Sequence, residues 1–345
     1  MTSPTTTLTD VVLPGVVLPD GLIVRQLPMP CPAPGQVLIK MLATGVSFAE
    51  QQMRRNRYPG QPKFPFVPGY DIVGIVTATG NGCDEALAGR RVAAVIKTGG
   101  WSTHVLVDAR DVVLVPDELD AAEAESVVVN GVTAWQMLHR KARVKSGDTI
   151  LVHGANGGVG STLVQLARNA GVHVIGTASP RYHAQLRELG VEPIDYNDPD
   201  LGAQVRQIAP GGVDAVFDHL GEESFKRSFN LLSPGGTLVA YGTAAQRDET
   251  NNINLSFLSF YFRLMLWTLL PNRRRALFFN FWEGKTLHAK AFRGNLSADL
   301  TTVLGLLVDG KITANVAARI PLREANRAMT LAESKTVFGK VVLIP

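Results

Sequence analysis

Apolar positions change rhythm along this chain. From Val11 to about Val115 they fall in short runs that suit strands, at residues 37–42, 72–77, 91–96 and 104–107. Asn81-Gly82 and Gly99-Gly100 mark turns between them, and prolines crowd at Pro28, Pro30, Pro32 and Pro34. This texture predicts an irregular antiparallel barrel rather than a βα repeat. Near Asp120 the pattern turns helical, with one helix starting over 121–126 and a second over 133–140. Strand and helix patterns then alternate to about Gly242, with strands at 149–152, 172–177, 215–217 and 237–241. Such alternation predicts a parallel, doubly wound sheet whose ligand lies at the strand C-termini. Helices at 298–308 and 321–332 and a final strand at 340–344 close the chain, and the first ten residues read as a loose tail.

The strand at 149–152 runs into Gly154-Ala155-Asn156-Gly157-Gly158-Val159-Gly160, and a helical pattern follows with Leu163, Val164, Leu166 and Ala167 on one face. Strand, glycine turn and helix in that order form the first half of a dinucleotide-binding unit. Gly157 and Gly158 let backbone approach a pyrophosphate, and Gly160 lets the helix pack tightly on the strand. The free N–H groups and positive dipole end of the helix then hold the phosphate. Ala155 stands where the usual fingerprint has its first glycine, so the flanking strand and helix carry much of the inference. The ribose is read about 20 residues further on. There the chain has Ala178-Ser179-Pro180-Arg181 and no acid until Glu188. A hydroxyl and a guanidinium suit a 2′-phosphate, which points to NADPH rather than NADH.

Length and composition narrow the class. With 345 residues there is room for two domains, and 46% hydrophobic with 19% charged residues is a globular balance. A net charge of +4 is too small and too spread to argue for nucleic acid. Cys31 and Cys83 form no close-spaced pair, so neither a disulfide framework nor a cysteine-rich zinc site is suggested, and a reduced cytoplasmic compartment fits. Residues 253–282 are rich in aromatics. Arg263 interrupts that run, and Pro271 with Arg273, Arg274 and Arg275 ends it, so a membrane span is not expected. A buried pocket wall or a subunit interface is expected instead, with peripheral membrane contact as the alternative.

Several landmarks now coincide. Pro68-Gly69-Tyr70-Asp71-Ile72-Val73-Gly74 resembles the Pro-Gly-x-Asp/Glu-x-x-Gly signature of the medium-chain dehydrogenases/reductases. Gly131-Val132-Thr133-Ala134-Trp135 resembles the segment that enters their cofactor domain. His153 to Gly160 resembles the turn of the quinone oxidoreductase (zeta-crystallin-like) branch, with Asn156 in place of a small residue, and Gly339 to Leu343 matches its ending. The resemblance implies an α/β protein: a GroES-like antiparallel β-barrel catalytic domain over 1–128, a Rossmann NADP-binding domain over 129–285, and a segment over 286–345 that returns to the catalytic domain. It implies a homodimer. The aromatic stretch is reminiscent of the vesicle amine transport protein subgroup.

The same resemblance assigns residues. The turn from Ala155 through Val159 to Gly160, with Ser179, Arg181, Tyr196, Gly242 and Thr243, would border the cofactor. Thr133 would approach the nicotinamide, and Lys335 falls where the branch often carries a cofactor-side Arg. Zinc-dependent relatives have Cys at the position of Ser47 and His at that of Tyr70, and their four-cysteine lobe is missing here, so no metal is expected. His104 and His153 read as hydrogen-bonded structural residues. Alcohol oxidation leans on a Lewis acid, whereas hydride addition to a conjugated acceptor needs only donors for the oxygen that gains charge. The expected activity is therefore NADPH-dependent reduction of a quinone or an activated alkene. Tyr58 would donate to the acceptor, and Ser47 would replace an Asn common in the branch. An enoyl-thioester reductase and a non-catalytic NADPH-binding interaction protein are the alternatives.

Overall fold

A computed structural model describes residues 7–242 and 253–345, with side chains from 260 onward in the second stretch. The chain divides into two compact units, Met1–Val132 with Gly284–Pro345, and Thr133–Glu283. In chain order the first unit contributes β1 (Thr7–Val12), β2 (Ile23–Pro28), β3 (Gln36–Val46), α1 (Phe48–Arg54), β4 (Asp71–Thr79), β5 (Arg91–Val95), β6 (His104–Asp108) and β7 (Val112–Leu114). Helix α2 (Ala121–Trp135) leads into the second unit, which holds β8 (Thr149–His153), α3 (Gly158–Asn169), β9 (His173–Ala178), α4 (His183–Glu188) and β10 (Val191–Asp195). It continues with α5 (Leu201–Ile208), β11 (Val213–Asp218), α6 (Glu222–Leu231), β12 (Leu232–Ala240), α7 (Ile253–Thr268) and β13 (Arg275–Phe278). The chain returns to the first unit with α8 (Ala289–Val308), β14 (Val316–Pro321), α9 (Ala325–Glu333) and β15 (Lys340–Ile344).

In the first unit the strand order is β14-β15-β3-β4-β5-β7, with β6 also on β3. All of these pairs are antiparallel except β14 with β15. Period-two burial along β3 and β4 sends Val37, Ile39, Met41 and Ile72 inward, where they meet Val92, Trp101, Val341 and Leu343. The indole N–H of Trp101 donates to the Gly45 carbonyl at 2.9 Å. In the second unit six strands lie parallel in the order β10-β9-β8-β11-β12-β13. Strand order turns back between β8 and β11, which is where an open α/β sheet presents its binding crevice.

Four local expectations are revised. Residues 7–10, expected within a loose tail, belong to β1, which pairs antiparallel with β2. The two helices expected near 121–126 and 133–140 are one: α2 runs unbroken and widens into a π-helical turn, Gln136–Ala142, that ends with Arg143 in the left-handed region at φ 58°. Gly131 is tolerated mid-helix because a methyl there would come within 2.7 Å of Val303 Cγ1 on α8, so close packing offsets its poor propensity. The helix expected from residue 321 begins at Ala325, since Pro321 is the last residue of β14. The aromatic stretch is buried on one side only. Phe260 and Leu264 pack with Phe225, with Phe225 and Phe260 centroids 5.1 Å apart, while Tyr261, Phe262, Met265 and Leu266 are exposed. Among the described residues no helix is long and apolar enough to cross a membrane.

Candidate functional site

The dinucleotide turn is built on a chain of buried hydrogen bonds across three strand ends. Gly154 N–H donates to Thr177 Oγ1 at 3.2 Å, and Thr177 Oγ1 meets His153 Nδ1, also at 3.2 Å. On the other side of the ring, His153 Nε2 lies 3.0 Å from Ser228 Oγ, and the Ser228 and Ser224 hydroxyls donate to Asp218 Oδ2 at 2.7 and 2.6 Å. One assignment satisfies every group: Thr177 donates to Nδ1, and Nε2–H donates to Ser228, which donates to Asp218. That requires a neutral His153. Burial pushes its pKa below the usual histidine value, against the pull of Asp218.

On this base the turn is tight. Gly154 sits at φ 66°, and Ala155 N–H donates to the Thr177 carbonyl at 3.0 Å. A methyl on Gly160 would lie 2.2 Å from the Gly154 carbonyl oxygen, so only glycine lets α3 start this close to its strand. The Gly157 carbonyl accepts the Ser161 amide at 2.8 Å. The first-turn amides of α3, at Gly158, Val159 and Gly160, have no intrahelical acceptor and form an anion-binding end. Asn156 is half-buried within the turn.

Residues expected to border the cofactor lie at the ends of β9 and β10. Arg181 is exposed, its Nε donates to Ser179 Oγ at 3.3 Å, and its guanidinium lies 5.5 Å from the Tyr182 ring. Tyr196 is exposed, and its amide donates to the Ala178 carbonyl at 3.4 Å. Gly242 follows β12 beside His219, and Thr133 is buried in the last turn of α2. Thr243 lies outside the described residues. A glycine-lined helix end for pyrophosphate and a hydroxyl–guanidinium pair for a 2′-phosphate are residues that fit NADPH.

The sequence reading missed His219. Its ring lies against Gly154, with a methyl on that glycine falling 2.5 Å from His219 Cε1, and its centroid is 5.3 Å from that of Tyr241. Its signal was positional, since it follows the last residue of β11 at the turning point of the sheet. Burial and the charge of Asp218 push the Tyr241 hydroxyl well above the usual tyrosine range.

In the first unit, Ser47 caps α1. Its Oγ accepts from Ala49 N at 3.3 Å, its N–H donates to Glu50 Oε2 at 2.8 Å, and its hydroxyl also meets Glu50. Glu50 is buried; burial pushes its carboxyl up, and the negative charge of Asp71 adds to this. Nearby, the buried Lys340 ammonium donates to Asp71 at 2.8 Å and to Glu125 at 2.7 Å. The Tyr58 and Tyr70 hydroxyls lie 2.8 Å apart, with rings edge to face at 80°. Lys335 is exposed with φ 60°, two residues beyond Glu333, which binds Arg54 of α1 and Arg55, which caps it. His104 Nδ1 lies 3.3 Å from Thr103 Oγ1, and burial lowers its pKa.

These residues do not fit zinc. Ser47 is held by Glu50 and Tyr70 by Tyr58, neither brings a thiolate or an imidazole, and no group of three metal-binding side chains occurs among the described residues.

Residues 33–117 match the alcohol dehydrogenase GroES-like domain, and residues 189–343 match a family described as zinc-binding dehydrogenase. The human synaptic vesicle membrane protein VAT-1 homolog is 32% identical over 93% of this chain and 82% of its own length. A 2-haloacrylate reductase from Burkholderia sp is 30% identical over 95% of this chain and 96% of its own. A mycobacterial protein solved in complex with NADPH superposes with a TM-score of 0.83 at 29% identity, covering 98% of this chain and 100% of that one. The chain belongs to the quinone oxidoreductase-like, zinc-independent family of medium-chain dehydrogenases/reductases.

Proposed function

We propose that this protein is an NADPH-dependent reductase of quinones or activated alkenes such as enones and enals, working without zinc. The observation that carries the reading is the pair of positions where zinc-dependent relatives hold ligands: Ser47 is bonded to Glu50, and Tyr70 to Tyr58. A phenol pair is a donor for an oxygen that gains charge and is not a Lewis acid, which suits conjugate reduction better than alcohol oxidation. When bound, NADPH supplies the hydride. The turn from Ala155 to Gly160 holds its pyrophosphate, Ser179 and Arg181 its 2′-phosphate, and Tyr196, Gly242, Thr133 and Lys335 its remaining faces. Tyr58 donates to the acceptor oxygen as electrons move onto it. Ser47 contributes a shorter donor, already engaged by Glu50. The relative named as a 2-haloacrylate reductase supports the alkene arm. A cytoplasmic location and a homodimer complete the reading; cysteines outside any disulfide, Cys31 and Cys83, suit a reduced compartment.

The test is loss of the NADPH absorbance band with benzoquinone, naphthoquinones, 2-alkenals and enoyl thioesters, each with and without a chelator. Chelator-insensitive turnover of a quinone or alkenal is expected. Turnover of thioesters alone would favour an enoyl-thioester reductase. NADPH binding with no turnover would favour a binding protein, and chelator-sensitive turnover would refute the zinc-free reading.

A further inference from the structure

We propose that Tyr70 and Lys97 are positioning residues that set the Tyr58 phenol as the proton donor to the acceptor oxygen and stabilise it after the proton has left. This rests on the reading of Tyr58 given above and adds two residues to it.

Two segments remote in the chain, at Tyr70 and Lys97, converge on the one phenol. Tyr70, only 4% exposed, precedes β4 and places its hydroxyl 2.8 Å from that of Tyr58. The Tyr70 carbonyl also accepts the amides of Ile96 and Lys97, at 2.8 and 3.1 Å. Lys97 has φ 73°, a conformation that residues with side chains seldom adopt and that the barrel must enforce. In that conformation its ammonium donates to the Gly60 carbonyl at 2.8 Å and lies 5.6 Å from the centre of the Tyr58 ring. Burial, and the like charge of Lys285, hold the Lys97 pKa below the ordinary lysine value. A left-handed lysine tied to a second tyrosine through its own backbone is more than a loop needs to close.

The chemistry follows from where the charges go. Bound NADPH would supply a hydride to the β-carbon of the acceptor; the carbon–carbon π pair would then shift and leave an enolate with its negative charge on the former carbonyl oxygen. The Tyr58 O–H bond breaks and its proton passes to that oxygen, leaving a phenolate. The Tyr70 hydroxyl donates to the phenolate oxygen, and the Lys97 ammonium faces the ring over which the negative charge spreads. Solvent water then returns a proton to Tyr58. The acceptor has gained one hydride and one proton, and no further oxidant or reductant is needed.

The test uses the full-length protein with NADPH and two acceptors. An enone gives a strongly basic enolate, and an electron-poor benzoquinone gives a weakly basic product anion. Tyr70→Phe and Lys97→Met should each lower kcat for the enone by about 3- to 30-fold and for the quinone by clearly less, and leave KM and the NADPH affinity unchanged. Lys97→Arg should restore most of the enone rate. Equal losses on both acceptors, a change in KM alone, or no rescue by arginine would overturn the proposal. Tyr58→Phe separates it from its foundation. If that variant keeps the full enone rate, or the wild-type protein turns over neither acceptor, the reading of Tyr58 fails and this inference falls with it. If Tyr58→Phe is slow while Tyr70→Phe and Lys97→Met match wild type, this inference alone fails.

Discussion

Replacing Arg181 with alanine separates the 2′-phosphate from the rest of the cofactor. The side chain is exposed, donates to Ser179 Oγ at 3.3 Å and lies beside the Tyr182 ring, so its removal should disturb the fold little. A hydrogen bond to a charged group contributes about 1.5–3 kcal/mol. Arg181 stands in solvent, which screens its charge, so the lower end of that range applies, about 1.5 kcal/mol or slightly over tenfold in Kd. The Ser179 hydroxyl remains and should keep part of the preference. NADH has no 2′-phosphate, so its Kd should stay within about twofold of wild type, well under the ~1.4 kcal/mol of a tenfold change. Titration of cofactor fluorescence gives both constants. Repeating it at about 1 M salt, where the Debye length falls to about 3 Å, should narrow the wild-type preference for NADPH. Equal weakening of both cofactors, with the melting temperature unchanged, would refute the assignment of Arg181 to the 2′-phosphate.

Gly160→Ala makes the contrasting case. Its methyl would meet the Gly154 carbonyl at 2.2 Å, so both cofactors should weaken alike and the fold should lose about 1–3 kcal/mol by urea titration; a neutral result would mean α3 can shift freely. Lys340→Met leaves Asp71 and Glu125 buried without their shared cation, and removing one partner of such a pair costs about 3–5 kcal/mol. A loss under about 1 kcal/mol would show that the carboxyl groups were already uncharged. Burial alone would lower the Lys340 pKa, but the charges of Asp71 and Glu125 and the hydrogen bonds to them outweigh it and hold the pKa above its ordinary value of 10.5, so its contribution is complete below that pH and is lost as pH rises through the folded value. His153 runs the other way. Its folded pKa lies below 6.5, so the unfolded chain binds more protons, and stability should be full above pH 6.5 and fall as pH drops below it. Melting temperatures at several pH values, compared with a His153→Gln variant, measure this; the same acid slope in both proteins would remove His153 as its source.

The sequence by itself determined the elements whose signals are local. Residues 149–169 carry strand, glycine turn and helix within a single window, and the structure places β8 and α3 there because period, turn chemistry and helix start all agree. That Ser179 and Arg181 directly follow a strand was legible for the same reason, since the length of one βαβ unit sets where β9 ends. Tertiary structure decided whatever depends on segments far apart in the chain. No period reveals that Leu343 of β15 pairs with Thr44 of β3, or that Lys340 lies between Asp71 and Glu125. Gly131 reads locally as a helix breaker, and only the nearness of Val303 makes it part of one long helix. His219 and Lys97 were invisible because their neighbours come from other strands and loops. Hydrophobic rhythm reports how each short segment is buried, whereas the partner of a buried charge or of the Tyr58 hydroxyl is chosen by the packing of the whole chain.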